Sequence, residues 1–179
     1  MTAQSSELVI EHLSSNHDRK GFDCGVEALN SFLQTQARKE MDRRSAVTYV
    51  LIDAASPSEV IGYYSLSAAT VLLDAVPEEL AKRLGRQPSV PTTLMGRLAV
   101  SNKRQGRGLG GRLLWDALKR SEQASREIGS VAVIVDAKDE NAAQFYERYG
   151  FRRFVDPPLR LHIMMSTIAA AGAQKPGPR

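Results

Sequence analysis

A glycine-rich segment near the middle of the chain has the residue types and spacing needed to bind an anion. It lies between an apolar run and an amphipathic run. Its residues are Gln105, Gly106, Arg107, Gly108, Leu109 and Gly110. Where a strand passes into a helix, the first backbone N–H groups of the helix have no helical partner and can point at an anion. Because glycine has no side chain, the backbone can approach that anion closely.

Three interpretations of these glycines compete. A P-loop requires Lys followed by Ser or Thr after its last glycine, but arginine and leucine follow Gly111, which excludes it. A dinucleotide-binding fingerprint fits Gly106, Gly108 and Gly111, with Asp136 near the place of a ribose-binding acid. Little sequence follows the loop to complete such a fold. A turn without a ligand stays open, although four glycines in six residues lose much backbone entropy on folding.

The apolar pattern places this loop in a mixed α/β chain. Alternating or continuous apolar residues predict strands at 8–10, 47–52, 60–66, 94–100, 131–135 and 160–168. Helical periodicity and end signals predict helices at 25–44, 77–85, 109–128 and 141–149. The proline-containing segment 87–92 reads as a loop. This order of elements predicts a mixed, mostly antiparallel sheet with helices on both faces.

Composition indicates one globular domain. The chain has 179 residues, of which 42% are hydrophobic and 25% are charged, as in ordinary globular domains. We expect a domain over residues 1–168 and a flexible tail over 169–179. Nothing at the N-terminus resembles a targeting segment, so a cytoplasmic protein is expected. The single cysteine, Cys24, excludes an internal disulfide and a multi-cysteine metal site, and we expect a buried thiol and no bound metal.

Positive charge is concentrated in one part of the chain. Residues 77–126 carry eleven Lys and Arg against four Asp and Glu, whereas the formal net charge of the whole chain is only +4. The remainder therefore sums to −3. Such asymmetry says more about partners than about fold, and it predicts an anionic partner such as the phosphates of a cofactor, of RNA, or of both.

The glycine segment, with the order of elements around it, resembles the GNAT superfamily of acetyl-CoA-dependent N-acetyltransferases over about residues 6–168. The resemblance implies a twisted sheet with a splayed strand pair at the acetyl-CoA site. The strand before the loop would lie along the pantetheine arm, and the loop would hold the pyrophosphate. The acetyl-CoA-binding residues that it implies are Leu98, Ala99, Val100, Gln105, Gly106, Arg107, Gly108, Leu109, Gly110, Asn141 and Phe145.

The same resemblance implies that Tyr146 is the general acid. Acetyl transfer from a thioester to an amine needs a proton for the departing thiolate and stabilisation of the oxyanion. A phenol titrates near pH ~10 and stays protonated at neutral pH. A tyrosine that merely packs is the alternative. For the oxyanion, a backbone N–H of Leu98 or Val100 is the natural donor.

The sequence offers no obvious general base. His12 and His17 fall near the N-terminus, and His162 in the last strand is expected to be a satisfied structural histidine. An α-amine with a pKa near ~8 is about a tenth or more neutral at physiological pH, whereas less than about a hundredth of a lysine amine with a pKa near ~10.4 is neutral. The absence of a base therefore fits an α-amine better than a lysine side chain.

Several motifs are similar to those of the GNAT toxins of type II toxin–antitoxin systems, which acetylate the α-amine of aminoacyl-tRNA and halt translation. They include the Phe-Asp-Cys-Gly run at 22–25 with Leu-Asn at 29–30, Gly-Tyr-Tyr-Ser-Leu at 62–66 and Gly-Arg-Leu-Ala-Val at 96–100. The resemblance implies a ribbon-helix-helix antitoxin partner and a homodimer. Candidate tRNA-binding residues are Arg38, Arg43, Arg44, Lys82, Arg83, Arg86 and Arg97.

Two other functions stay open. An N-acetyltransferase of a small amine or a peptide N-terminus would use the same cofactor site. A non-enzymatic module that binds CoA or RNA would keep the glycine loop but would not depend on Tyr146. Arg97 also has an alternative to tRNA binding, which is pairing with an acidic side chain.

Overall fold

The computed structural model describes residues 6–85 and 87–173. The strands are β1 (Leu8–His12), β2 (Val47–Asp53), β3 (Gly62–Leu72), β4 (Ser89–Val100), β5 (Ala132–Asp136), β6 (Arg152–Arg153) and β7 (Arg160–Met164). The helices are α1 (Glu27–Ser31), α2 (Ala37–Asp42), α3 (Glu78–Ala81), α4 (Leu109–Ser125), α5 (Glu140–Arg148) and α6 (Met165–Ala173). The strand order is β1-β2-β3-β4-β5-β7-β6. This is the mixed, mostly antiparallel sheet that the sequence predicts.

The chain divides into two compact units. The first comprises residues up to Ser67 together with Gly96–Ala117, and the second comprises Ala68–Met95 together with residues from Leu118 onward. Strands β3 and β4 contribute residues to both units. Each unit has its own hydrophobic core, as expected for a packed layer of helix and sheet.

The first unit is built on an antiparallel meander. Strand β1 pairs with β2, and β2 pairs with the start of β3. One face of this meander packs against α1, α2 and the segment that precedes them. The core residues there include Leu13, Phe22, Phe32, Leu33, Ala37, Val50, Ile52, Tyr63 and Ala99. Cys24 is part of this core, with 7% of its surface exposed, which confirms the predicted buried thiol.

The second unit is built around β5. Residues 132–135 of this strand are all at most 2% exposed, as predicted for a strand covered on both faces. It pairs in parallel with β4 at Thr93 and Leu94, and in antiparallel with β7 along its whole length. Strand β4 continues to Val100, beyond the positions where it pairs with β5.

The structure differs from the sequence prediction in four places. The helix predicted over 25–44 is split by a π-helical turn, Phe32–Gln36, between α1 and α2. Strand β4 starts at Ser89, within the segment predicted to be a loop. The last strand ends at Met164, and α6 follows it, so 169–173 of the predicted tail are helical while 174–179 lie outside the described residues. The short β6 was not predicted.

No helix within residues 6–85 and 87–173 combines the length and the apolar character that a membrane span requires.

Candidate functional site

The glycine loop has the backbone geometry of an anion site. Gly106 and Gly108 have φ angles of 75° and 73°, in the left-handed region that favours glycine. Helix α4 begins directly after them, and the N–H of Arg112 donates to Gly108 C=O at 3.2 Å. The N–H groups of residues 109–111, which precede this bond, therefore have no partner within the helix. A Cβ added to either glycine would meet no atom within 4 Å, so the loop opens to space that a ligand can fill.

The Gln105 side chain makes contacts that the sequence did not predict. Its Nε2 donates to Val100 C=O at 3.0 Å and to Cys24 C=O at 3.1 Å. The side-chain donor is therefore directed at protein carbonyls. What the loop offers to an anion comes from its backbone and from the cations beside it.

The end of β4 presents two faces. Ala99 is 6% exposed and belongs to the core of the first unit, whereas Leu98 and Val100 are half-buried. In a strand, neighbouring side chains point to opposite sides, so Leu98 and Val100 share the face that Ala99 does not use. A Cβ on Gly62 would come within 2.8 Å of Ala99 C=O, so glycine is needed there for β3 to approach β4.

Several basic residues lie next to the loop in the chain, and one of them is hydrogen-bonded to another part of the protein. Lys103 and Arg107 are exposed, and Arg104 is half-buried. Arg112 instead donates from its guanidinium to Leu8 C=O at 2.6 Å. The loop thus offers both backbone donors and positive charge to a phosphorylated ligand.

Tyr146 lies in α5, in the second unit. Its ring contacts those of Phe145 and Phe151, with ring centroids 5.3 and 5.4 Å away. Burial raises the pKa of Tyr146 to about 12. Among the described residues, the Tyr146 hydroxyl makes no hydrogen bond. The protonated hydroxyl is therefore a hydrogen-bond donor that is not engaged by any other group of the described chain.

Helix α5 is fixed at both ends. Its N-cap is Asp139, whose carboxylate accepts a hydrogen bond from Ala142 N–H at 2.8 Å. Arg153 pairs with Glu140 at 2.6 Å and with Glu147 at 2.8 Å. These bonds lower the pKa of both glutamates and raise the pKa of Arg153. One arginine from β6 therefore bridges the first and last turns of the helix that carries Tyr146.

The other two predicted residues of α5 differ in exposure. Asn141 is exposed in the first turn, and Phe145 is half-buried with its ring centroid 5.1 Å from that of Tyr149. The predicted acetyl-CoA residues therefore fall into two sets. Residues 98–100 and 105–110 belong to the first unit, and Asn141 and Phe145 belong to the second.

The predicted tRNA-binding arginines of the first unit lie mostly on α2 and the residues after it. Arg43 and Arg44 are exposed, and Arg38 is half-buried. Arg44 ends the helix with a φ of 59°. Arg97 lies with its guanidinium carbon 3.7 Å from the centroid of the Phe32 ring. Among the described residues, this cation–π contact holds Arg97, and no acidic side chain pairs with it.

In the second unit, Lys82 and Arg83 line a cavity of about 470 Å³ with Glu79, Arg152 and His162. Arg152 pairs with Glu79, and Lys82 with Glu78 at 3.1 Å. Arg86, also predicted to bind tRNA, lies outside the described residues.

His162 corrects one expectation. It is 5% exposed and has a hydrogen bond with the Arg152 backbone, but its Nδ1 has no hydrogen-bond partner within the described part of the chain, so the predicted histidine is satisfied only in part. Burial, with nearby Arg152, lowers its pKa. The sequence did not indicate Arg152 as a site residue, since a two-residue strand has no periodicity to detect.

In the part of the chain that the structure describes, no group of three or more His, Cys, Asp or Glu side chains is arranged to hold a metal ion.

Residues 18–166 match the acetyltransferase (GNAT) domain family. A tRNA-acetylating toxin of Mycobacterium tuberculosis is 31% identical over 158 residues, which cover 88% of this chain and 92% of that protein. The structure of AtaT complexed with acetyl-methionyl-tRNAfMet has a TM-score of 0.86 and 29% identity, covering 93% of this chain and 99% of that one. A tyrosine-to-phenylalanine variant of AtaT, bound to the C-terminus of the antitoxin AtaR and to acetyl-CoA, has a TM-score of 0.79 and 28% identity, covering 94% and 99%.

Proposed function

This chain belongs to the GNAT acetyltransferase family, and from that premise we propose that it acetylates the α-amine of aminoacyl-tRNA as the toxin of a toxin–antitoxin pair. The observation that carries the proposal is the glycine loop at the start of α4, where Gly106 and Gly108 hold left-handed backbone around open space. Such a loop suits the diphosphate of acetyl-CoA.

The residues of the first unit supply the cofactor-binding half of the reaction. When bound, acetyl-CoA supplies the acetyl group as a thioester. Backbone N–H groups of 106–110 hold its diphosphate, and Arg107 adds positive charge. The backbone of 98–100 would hold the pantetheine arm, and the N–H of Leu98 or Val100 would be the donor for the oxyanion. The structure of the relative bound to acetyl-CoA supports this assignment of the ligand.

The residues of the second unit supply the proton, with Asn141 and Phe145 beside the pantetheine. The Tyr146 hydroxyl would supply the proton that the departing thiolate needs. With a pKa of about 12, the phenol keeps its proton throughout the physiological range.

The nature of the nucleophile follows from its own pKa. An α-amine titrates near pH ~8, so about a tenth of it is already neutral near pH 7. A lysine amine near ~10.4 would need a strong base at the site. The enzyme therefore acts on an α-amine, of which a usable fraction is already neutral without a general base.

The positive charge of both units favours an RNA substrate. Arg38, Arg43, Arg44 and Arg97 of the first unit, and Lys82, Arg83 and Arg86 of the second, provide contacts for tRNA phosphates, and Arg152 extends the second set. The relative complexed with acetyl-methionyl-tRNAfMet supports this partner.

The protein partners follow from the same relatives. The complex of AtaT with its antitoxin AtaR supports an antitoxin that blocks this enzyme, which we take to be of the ribbon-helix-helix type. We also propose that residues 1–168 act as a single domain and that the protein is a homodimer. Since charged tRNA is found in the cytoplasm, the enzyme acts there.

Mass spectrometry of charged tRNA tests the proposal. The purified chain is incubated with acetyl-CoA and a pool of aminoacyl-tRNAs, and the 3′-terminal aminoacyl-adenosines are released and weighed. We expect at least one species to gain an acetyl group. If none does while a free amine or a peptide N-terminus is acetylated, the enzyme class stands and the toxin function is wrong. If no acceptor gains an acetyl group but acetyl-CoA binds, the chain is a binding module.

A further inference from the structure

The Phe-Asp-Cys-Gly motif folds into a turn whose side chains bond to each other. The Asp23 carboxylate accepts hydrogen bonds from Gly25 N–H and from Asn30 Nδ2, each at 2.9 Å. The side-chain oxygen of Asn30, which is 7% exposed, accepts from Cys24 N–H at 2.9 Å. Asn30 therefore fixes residues 23–25, hereafter the Asp23 turn, against helix α1.

This turn is bonded to the segment that leads into the glycine loop. The N–H of Asn102 donates to Asp23 C=O at 2.9 Å. From the other end of the same segment, Gln105 Nε2 donates to Cys24 C=O at 3.1 Å. Residues 102 and 105 are thus held to one turn that lies about 80 positions earlier in the chain.

The turn and the segment also fit closely. Gly25 has a φ of 83°, and a Cβ placed on it would lie 3.1 Å from Asn102 Oδ1. A larger residue at position 25 would strain the backbone and push against Asn102. The close fit explains why glycine stands at this position.

We propose that the Asp23 turn positions the glycine loop for acetyl-CoA, with Gln105 acting as a positioning residue and not as a phosphate ligand. The inference rests on the proposed function, since acetyl-CoA is the ligand. Gln105 Nε2 donates to the Cys24 and Val100 carbonyls and also lies 3.2 Å from the Asn102 side-chain amide, so this side chain is held by protein groups and the loop backbone is left to bind the diphosphate. The turn thus acts at a distance from the ligand, by holding the start of the loop.

The first test compares two glycines. Gly25→Ala and Gly85→Ala both place alanine in left-handed backbone, but a Cβ on Gly85 meets nothing within 4 Å. Isothermal titration of acetyl-CoA into each full-length variant measures Kd. We expect Gly25→Ala to raise Kd about tenfold and Gly85→Ala to leave it unchanged, while kcat at saturating acetyl-CoA stays near that of the wild type.

The second test asks whether Gln105 acts through the turn. Gln105→Met keeps a similar shape without the donor, and Gln123→Met makes the same change at an exposed position of α4. We expect only the former to weaken acetyl-CoA binding. Because both changes loosen one contact, Gly25→Ala combined with Gln105→Met should cost no more affinity than the larger single change.

The outcomes separate the two proposals. If the wild type binds no acetyl-CoA, the proposed function fails. If the wild type binds but Gly25→Ala binds as well as Gly85→Ala does, the positioning role is overturned. It is also overturned if the affinity losses of the double variant add, because Gln105 then acts independently of the turn. Should Gly25→Ala not fold by circular dichroism, Asn30→Ala replaces it in the same cycle.

Discussion

The glycine loop of the first unit and helix α5 of the second are held in place by different means. The loop depends mainly on its backbone, with two left-handed glycines at 106 and 108, a main-chain bond from Asn102 to Asp23, and the Gln105 side chain donating to main-chain carbonyls. Helix α5 depends on side chains, with an Asp139 cap and an Arg153 bridge. A region that binds an invariant diphosphate needs fixed N–H groups, whereas a region that donates one proton needs one side chain in one orientation.

This difference makes a division of labour testable. Changes in the glycine loop should alter the affinity for acetyl-CoA and leave the chemical step alone. Changes at Tyr146 should alter the chemical step and leave affinity alone. Changes to the groups that hold α5 should mainly lower the thermal stability of the protein.

The largest effect is expected for Tyr146→Phe. The ring keeps its contacts with Phe145 and Phe151, but the hydroxyl that donates to sulfur is lost. We expect kcat to fall by about 10²- to 10⁴-fold with an unchanged Kd for acetyl-CoA. CoA release with aminoacyl-tRNA measures the first and titration calorimetry the second. Tyr149→Phe, at a 42% exposed position, is the control. Unchanged turnover in Tyr146→Phe would remove the acid assignment.

Gly108→Ala should have the next largest effect, on affinity. A non-glycine residue in left-handed backbone costs ~1–2 kcal/mol, which corresponds to about 5- to 30-fold in Kd for acetyl-CoA if binding requires this conformation. Gly129→Ala is the control, because its backbone is not left-handed. A loss of kcat at saturating acetyl-CoA would contradict the division between the two regions.

The sequence predicted local structure well where the residue type itself indicates the backbone conformation or the burial. Glycine at 106 and 108 signals left-handed backbone before a helix, so the loop and the start of α4 were predicted. Continuous apolar residues likewise signalled the buried β5.

Contacts between residues far apart in the chain were not predictable in this way. Glu79, Arg83, Arg152 and His162 meet at one cavity, yet no spacing in the sequence connects them. The same holds for the bond from Gln105 to Cys24. A short-range pattern carries no information on which carbonyl a distant amide reaches.

Local signals also failed where tertiary structure overrode them. Pro88 and Pro91 predicted a loop, but Pro91 lies in β4 and its C=O accepts from Val131 N–H at 3.0 Å. A strand accepts proline where no N–H is required of that residue. The π-helical turn escaped notice because the buried Phe32, Leu33 and Ala37 satisfy helical periodicity in either case.

One exposed arginine from each unit can be tested as a contact for tRNA phosphates. We expect Arg43→Gln and Arg83→Gln each to weaken tRNA binding without regard to tRNA sequence, and to reduce the slope of log K against log salt by about one. Binding measured by filter retention over a salt series gives that slope. Arg126→Gln is the control, since Arg126 is paired with Glu122 at 2.7 Å. If only one variant changes the slope, RNA is bound by that unit alone.

The smallest effect concerns the Arg153 bridge and appears in the pH dependence of stability. Arg153 lowers the pKa of Glu140 and Glu147, so its stabilisation is present above their ordinary pKa of ~4.3 and is lost as the pH falls through the lowered values. Arg153→Met should therefore lower Tm more at pH 7 than at pH 3, as followed by circular dichroism. Arg148→Met, an exposed arginine of α5, is the matched control. An equal loss of Tm at both pH values would mean that Arg153 stabilises α5 by packing rather than by charge, which would remove the electrostatic half of the comparison.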